Sequence, residues 1–358
     1  MAADVTTDEQ AGARKLPTVK RRVINVSPEA MVRAGHLREG QTLPLVIEPA
    51  VEGVNLLSWA AQQRDSVGQQ LLRYGAILFR NFGCSSAGEF EQFCGTLSSE
   101  LLEYRERSSP RSHVGGKVYN STDYPADHAI FPHNEHSYSR TFPLRLYFFC
   151  ETPAAEGGET PIADTRKIFR RIDPQVTERF AGKKWMYVRN FGDGFGLSWQ
   201  TVFQTEDRAA VEQYCRAADI AVEWKPGNRL RTRQVRDAVT THPLTGEPVW
   251  FNHATFFHVS TLEPGVRRTL LEEFSEEDLP NNSYYGDGSP IEPEVLEHLR
   301  AAYTQETVSF PWQRGDILLI DNMLTAHARA PFVGPRRVLV TMADPFTRQG
   351  AAPPPQGA

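Results

Sequence analysis

Cysteine is scarce in this chain. There are four, Cys84, Cys94, Cys150 and Cys215, and none sits in a C-x-x-C pair. That spacing excludes a zinc ribbon and a disulfide frame, and predicts reduced, mostly buried thiols in a cytoplasmic protein. A basic excess is also missing, with 39 Lys+Arg against 44 Asp+Glu and a formal charge of -5. The one basic run, RLRTRQVR from Arg229 to Arg236, has no interleaved aromatics and reads as a solvated helix or loop face. No nucleic-acid partner is expected. No stretch reaches the ~18 apolar residues needed to cross a membrane. The opening MAADVTTDEQAGARK has no apolar segment of the kind a secretory signal needs. No G-x-G-x-x-G follows a strand, and GDGFG (Gly192 to Gly196) reads as a turn-rich loop rather than a nucleotide fingerprint.

What is present is ordinary globular composition over 358 residues, 40% hydrophobic and 23% charged. A core of this size folds without a structural metal, so a metal found here serves function. Residues 1–20 are polar and 349–358 (QGAAPPPQGA) are Pro/Gly-rich; both ends read as disordered, and 21–348 as one domain with helical insertions. Leu56 to Gly75 has apolar positions at helical spacing and ends on a glycine stop. AILFRNF then reads as a strand, and Ser86 with Glu89 makes a capping box for the helix EFEQFCGTL. Further on, LRLYFFCET, KWMYVRNF, PVWFNHATFFHVS, DILLIDN and RRVLVTMA read as strands. TRKIFRRIDPQVTERF, AAVEQYCRAADI, VRRTLLEEF and PEVLEHLRAAYTQ read as helices between them. Strands this far apart, separated by Gly/Pro turns, predict a mainly β fold with surrounding helices and a jelly-roll (double-stranded β-helix) core.

Residues 131–140 read FPHNEHSYSR, with His133, Glu135 and His136 close together. In an extended chain, residues i and i+2 share a face, so His133 and Glu135 can aim at one ion while His136 shares the face of Asn134. Geometry thus prefers His133 to His136. The pair His133 and His136 would need a helical turn, which Pro132 does not decide. Two histidines and one carboxylate with open positions is the donor set of non-haem Fe(II) oxygenases. The best third ligand is His327, which follows the apolar strand DILLIDN. His242, His253 and His258 read as satisfied core or surface histidines.

Five segments carry a resemblance: GAILFRNF, PHNEHSYS, PAAEGGETPIAD, HPLTGEPVWFN and GDILLIDNMLTAHARAPFVGPRR. In this order they make the chain similar, from about Tyr74 to about Asp344, to the taurine-dioxygenase-like family of Fe(II)/2-oxoglutarate oxygenases, which includes clavaminate-synthase-like enzymes. The HNE form and the GGETPIAD run look most like the amino-acid hydroxylases of non-ribosomal peptide pathways, the syringomycin-type aspartate hydroxylases among them. The resemblance implies Fe(II) as the metal, with 2-oxoglutarate and O2 as cosubstrates. It puts His133, Glu135 and His327 on the catalytic metal triad and Thr160 on the threonine that binds the distal carboxylate of 2-oxoglutarate. It favours Arg337 as the arginine paired with that carboxylate, with Arg336 the adjacent alternative. A bidentate guanidinium and a neutral hydroxyl suit a carboxylate.

Members that halogenate carry a small residue in place of the carboxylate, so Glu135 implies oxygen insertion: hydroxylation of an amino acid or its derivative, free or on a peptidyl carrier protein, in antibiotic biosynthesis. Desaturation or ring formation would use the same triad, and a non-catalytic jelly-roll binding protein is the reading from another class. Relatives that bind sulfonate or carboxylate substrates often place a second arginine four residues past the first. Thr341 stands there, which counts against a taurine-like substrate. Asn120, Ser121 and Asn252, with Tyr119 and Arg140, are polar candidates for reading the substrate. Trp199 and Gln200 are expected to pack a loop over the site, and the polar loop from Glu103 to Ile130 is expected to act as a lid.

Overall fold

A computed structural model describes residues 27–103, 112–121, 124–192, 194 and 196–348. The expected disorder at 1–20 and 349–358 lies outside these residues. The apolar runs form the middle of an eight-stranded sheet. Its order is Val32–His36, Leu45–Pro49, Ala76–Phe79, Ile317–Asp321, Thr141–Thr152, Arg337–Thr347, Val118–Asn120 and His113–Gly115. Strand alternation sorts its side chains. Ile77, Phe79, Tyr147, Phe149, Ile317 and Leu319 pack with Trp59, Leu71, Phe90 and Phe93 of three N-terminal helices. Leu78, Leu146, Phe148, Leu318, Ile320 and Val340 take the other face, with Ile162, Phe310 and Trp312. Both faces are covered, which is why these strands read as continuous apolar runs. A one-residue slip would exchange the two sets. Truncating a fully buried ring such as Phe149 would cost about 3–5 kcal/mol.

A four-stranded sheet, ordered Thr307–Val308, Ile162–Asp164, Thr325–Arg329 and Ile130–His133, lies against the second face. There Phe148 of the large sheet comes within 5.1 Å of the His327 ring. Ile168, Leu296, Leu299 and Tyr303, on the helices Thr165–Arg171 and Pro293–Glu306, pack with Ala163 and Ala326 on the outside of the small sheet. This is the expected fold: mainly β, helices outside, a double-stranded β-helix within. A third sheet (Ile220–Lys225, Arg229–Arg236, Trp185–Phe191, Asn281–Tyr285) stands beside the small one. It joins through Tyr187, whose ring stacks on Phe257 at 4.0 Å. No described helix is long and apolar enough to cross a membrane.

Several local expectations change. RLRTRQVR is not a solvated face but a strand, Arg229–Arg236. Its charges serve the fold: Arg231 donates to Asn190 and Asp278 at 2.8 Å each, and Arg236 Nε to the Tyr138 carbonyl at 2.9 Å. Leu56 to Gly75 is two helices, Leu56–Gln62 and Arg64–Tyr74, because Gln63 leaves helical dihedrals (φ -107°, ψ 14°). Past Trp250, PVWFNHATFFHVS stops being a strand. The Asn252 side chain accepts from Ala254 N and donates to the Ala238 carbonyl, both at 2.9 Å, and curls the chain. The loop from Glu103 to Ile130 contains the last two strands of the large sheet, Val118–Asn120 and, at its edge, His113–Gly115, while 104–111 and 122–123 lie outside the described residues. The Ser86 cap forms as expected, its Oγ accepting from Glu89 N at 3.2 Å, but the Glu89 carboxylate returns to Ser85 N at 2.8 Å.

Candidate metal and cosubstrate site

His133 ends one strand of the small sheet and His327 lies in its neighbour, paired with it in register. Their rings are 4.4 Å apart. Glu135 follows two residues later, in a turn rather than in the strand. One ligand atom from each of His133, Glu135 and His327 lies within 4.8 Å of the others. His133 Nδ1 lies 2.9 Å from the Phe131 carbonyl. A proton on Nδ1 then leaves Nε2 to coordinate, the usual way an imidazole ligand is oriented. His136 does not join the cluster. It takes a left-handed conformation (φ 55°), and its Nε2 lies 3.4 Å from Glu135 Oε1, beside the cluster rather than in it.

The turn is pinned by the residues that precede His327. Asn322 Oδ1 accepts from Glu135 N at 2.7 Å, and its Nδ2 donates to the carbonyls of Glu135 and Pro143, at 2.8 Å each. Asn134 Nδ2 donates to the Asn322 carbonyl at 2.6 Å. Asp321 Oδ1 accepts from Met323 N and Leu324 N at 3.0 Å, and Oδ2 lies 3.1 Å from His242 Nε2. Thr325 Oγ1 donates to the Gly75 carbonyl at 2.8 Å. A Cβ on Gly75 would stand 2.6 Å from that hydroxyl, so the helix stop is also a close approach. The apolar strand thus delivers His327 through a turn held at each residue. Sequence reasoning passed over Asn322; its signal was the Asp-Asn pair closing DILLIDN.

His242, buried and bonded to Asp321, and His258, which caps a short helix, are satisfied histidines as expected. His253 is buried too, and its Nδ1 meets Ser137 Oγ. It stacks on Phe257 at 4.6 Å, with its ring centre 5.7 Å from that of His133. Burial first, then the His133 charge, hold it well below the usual histidine range.

A cavity opens beside the two histidines, lined by Ser121, Ile130, His133, Phe148, Thr160, His327, Ala328, Arg329 and Arg336. Here the expectation for the arginine is corrected. Arg337 points outward, its side chain 47% exposed and paired with Glu151 at 2.6 Å. Arg336 lies just before the strand and turns inward, with Nε donating to the Gly158 carbonyl at 2.7 Å and Nη2 3.5 Å from Thr160 Oγ1. The strand begins at Arg337 opposite Thr152, and a register shift then sets Val338 opposite Cys150. Gly158 (φ 73°) makes the approach possible, since a Cβ there would stand 2.9 Å from Arg336 Cδ. Trp312 Nε1 donates to Thr160 Oγ1 at 3.1 Å; no local pattern marked this tryptophan. Burial, then the nearby Arg329 charge, lower Arg336 to about 10, so it stays cationic at neutral pH.

The other candidates divide. Ser121 lines the cavity with its Oγ 3.5 Å from Arg336 Nη1, on the side of the guanidinium. Asn120 sits on the strand next to the sheet edge, opposite Leu339. Asn252 is 2% exposed and committed to backbone, so it does not reach the cavity. Tyr119 is core, and Arg140 donates to the Ala217 carbonyl, away from the site. Thr341 is buried in the large sheet and its hydroxyl donates to the Lys117 carbonyl at 3.3 Å. Counted from Arg336, the fourth residue on is Val340, again not an arginine. Trp199 opens the short helix Trp199–Phe203 and packs it on the third sheet, its Nε1 donating to the Asn228 carbonyl at 3.1 Å.

The donor set fits Fe(II): two imidazoles and a carboxylate on one side, the cavity on the other. The cavity's far wall fits an anion. Among the described residues no carboxylate pairs with Arg336, although its guanidinium is partly buried. A cation without an ion-pair partner, beside a hydroxyl, is a cradle for a carboxylate.

The family model for the taurine catabolism dioxygenase TauD, TfdA family matches residues 39–342. A dapdiamide synthesis protein, DdaC, of Enterobacter agglomerans is 41% identical over 279 residues, 78% of this chain and 85% of that protein. A clavaminate synthase-like protein of Arabidopsis thaliana is 29% identical over 324 residues, 85% of this chain and 94% of that one. Among solved structures, the PvcB protein from Pseudomonas aeruginosa matches with a TM-score of 0.54 at 17% identity, over 89% of this chain and 92% of that one, which shows the shared fold. The chain belongs to the TauD, TfdA dioxygenase family. It is a 2-oxoglutarate-dependent non-haem iron dioxygenase, with Fe(II) as its metal and 2-oxoglutarate and O2 as cosubstrates.

Proposed function

We propose that this dioxygenase hydroxylates an unactivated C–H of an amino acid or amino-acid-derived substrate, free or held on a peptidyl carrier protein, in a cytoplasmic natural-product pathway. His133, Glu135 and His327 hold Fe(II); Arg336 and Thr160 hold the distal carboxylate of 2-oxoglutarate. The observation that carries the reading is the convergence of two groups on one cavity: the His-Glu-His cluster, and the Thr160–Arg336 pair. The similarity to a protein of dapdiamide synthesis supports a natural-product pathway.

Iron, 2-oxoglutarate and O2 together supply an oxidant able to remove hydrogen from an unactivated carbon, while the cosubstrate is decarboxylated to succinate and CO2. The chain's own residues do the rest. Asn322 fixes the Glu135 turn, so the carboxylate needs no reorganisation to bind metal. Arg336 and Thr160 set the angle at which the cosubstrate enters, and Trp312 orients the Thr160 hydroxyl. Phe148 and Ile130 give the cavity its apolar wall and limit water there. Glu135 fills the position that a halide would need, which supports oxygen insertion.

The test is anaerobic Fe(II) loading, then 2-oxoglutarate, O2 and an amino-acid panel, with succinate and product mass measured. A product one oxygen heavier supports hydroxylation; loss of two hydrogens replaces it with desaturation or ring closure. No succinate above background with any substrate, presented free or on a carrier, would sink the reading.

A further inference from the structure

The cavity holds a second guanidinium. Arg329 lies two residues past His327 on the same strand, is 5% exposed, and lines the cavity together with Arg336. Among the described residues no carboxylate lies within ion-pair distance of either arginine; Asp127 acts on Arg329, and Glu159 on Arg336, only from farther off. Arg329 is held by backbone instead: Nη1 donates to the Tyr124 carbonyl at 2.8 Å, and Nη2 to the carbonyls of Pro125 and of His128, the latter at 2.7 Å. Its Nε is buried without a hydrogen-bond partner. Phe332 is shared: the Arg329 guanidinium stands 5.3 Å from its ring centre and that of Arg336 5.5 Å. Phe332 N also donates to the Ala126 carbonyl at 2.9 Å, so the segment Tyr124–His128 is tied down at four points.

Carbonyl dipoles solvate a cation but do not cancel its charge. Two like charges facing one partly buried cavity repel, and that cost is recovered only when a ligand brings negative charge. One guanidinium suffices to bond a carboxylate. A second beside it, turned toward backbone, acts over distance.

We propose that Arg329 is a specificity-determining residue of the cosubstrate cavity: its charge, which no described carboxylate pairs, selects 2-oxo acids that carry a distal carboxylate, and its bonds to the carbonyls of Tyr124, Pro125 and His128 brace that segment behind the cavity. This rests on the reading that Arg336 and Thr160 receive 2-oxoglutarate. The charge acts on the ligand without touching it, so its loss weakens discrimination rather than abolishing binding.

The experiment compares 2-oxoglutarate with 2-oxovalerate, which has the same carbon chain without the distal carboxylate. Affinities for both are measured by charge-transfer absorbance on the anaerobic Fe(II)-loaded protein, and amide hydrogen exchange is followed over Tyr124–His128. Arg329→Gln should shrink the preference for 2-oxoglutarate by about tenfold or more, with Fe(II) affinity retained and faster exchange in that segment. Arg329→Lys should keep most of the preference while the segment still loosens. A purely structural role would weaken both acids equally, so an unchanged ratio in Arg329→Gln overturns the proposal. Arg336→Gln is the control: if it too keeps full 2-oxoglutarate affinity, the cavity reading fails, and Arg329 with it. Should Arg329→Gln not be recovered folded, Tyr124→Glu decides. Tyr124 is 45% exposed and its ring lies 5.6 Å from the Arg329 guanidinium, so a carboxylate there offsets the same charge from solvent. An unchanged preference in that variant overturns the proposal as well.

Discussion

His133 and His327 are direct partners across an antiparallel strand pair, their rings 4.4 Å apart, although 194 positions separate them in the chain. The pairing places two imidazoles on one site without any loop having to close around the metal. His327→Ala should therefore abolish Fe(II) binding and succinate formation together. His136→Ala should keep metal binding, because the His136 ring lies outside the cluster. Metal titration of the two variants separates the roles; loss of metal from His136→Ala would reverse the ligand choice.

The adjacent arginines should behave differently. Arg336→Gln removes a charged donor from the cavity and should raise KM for 2-oxoglutarate by roughly 10–100-fold, the worth of a lost charge-assisted bond. Arg337→Gln breaks only a half-exposed pair with Glu151, worth about 0–1 kcal/mol. Steady-state kinetics with 2-oxoglutarate varied tells them apart, and equal effects would mean that neither is the specific anchor.

Gly158 should be needed for the cosubstrate rather than for the metal. With φ at 73° and Arg336 Cδ 2.9 Å from where a Cβ would stand, Gly158→Ala must strain the backbone and displace the guanidinium. Weaker 2-oxoglutarate binding with unchanged Fe(II) affinity is the expected result, read by titrating each in turn.

Asn322→Ala should lower Fe(II) affinity by about 10–100-fold, as for other residues that orient ligands. It also leaves three backbone groups around Glu135 and Pro143 without their partner, at about 1–3 kcal/mol for each group left buried and unsatisfied. Thermal unfolding and metal titration should both shift; an intact metal affinity would limit Asn322 to a stabilising role.

Acid should weaken the fold partly through His258. Burial first, then Arg300 and Arg267, lower its pKa from 6.5 to about 4. The unfolded chain therefore binds a proton below about 6.5 that the folded chain refuses until about 4. Stability falls as pH drops through that window, by at most ~1.4 kcal/mol per pH unit from this group. His258→Asn should flatten the slope between pH 6.5 and 4 in denaturant unfolding. An unchanged slope would assign the acid sensitivity to other groups, His253 first among them.

The parts of the site that sequence reasoning reached are those set by local periodicity or carried by the family resemblance. His133 and Glu135 were separable from His136 by spacing, even though Glu135 stands in a turn and not in a strand. The i, i+2 argument named the pair that the structure brings together with His327, but through another local geometry: the Asn322 clamp and the left-handed His136 do what strand alternation was expected to do. RLRTRQVR misled because a count of charges says nothing about partners, and its partners Asn190, Tyr138 and Asp278 lie far along the chain.

By itself the sequence determined the mainly β jelly-roll core, the apolar strands at its centre and the metal-ligand residue types, because hydrophobic period and donor chemistry are written within a few neighbouring residues. Only the tertiary structure decided which of Arg336 and Arg337 faces the cavity, that Asn322 clamps the Glu135 turn, and that Arg329 shares the cavity with Arg336. Each depends on register and on contacts between segments more than 100 residues apart, among them Gly158 with Arg336 and Glu135 with Asn322. A one-residue difference in where a strand begins turns one guanidinium inward and its neighbour to solvent, and no local pattern carries that information.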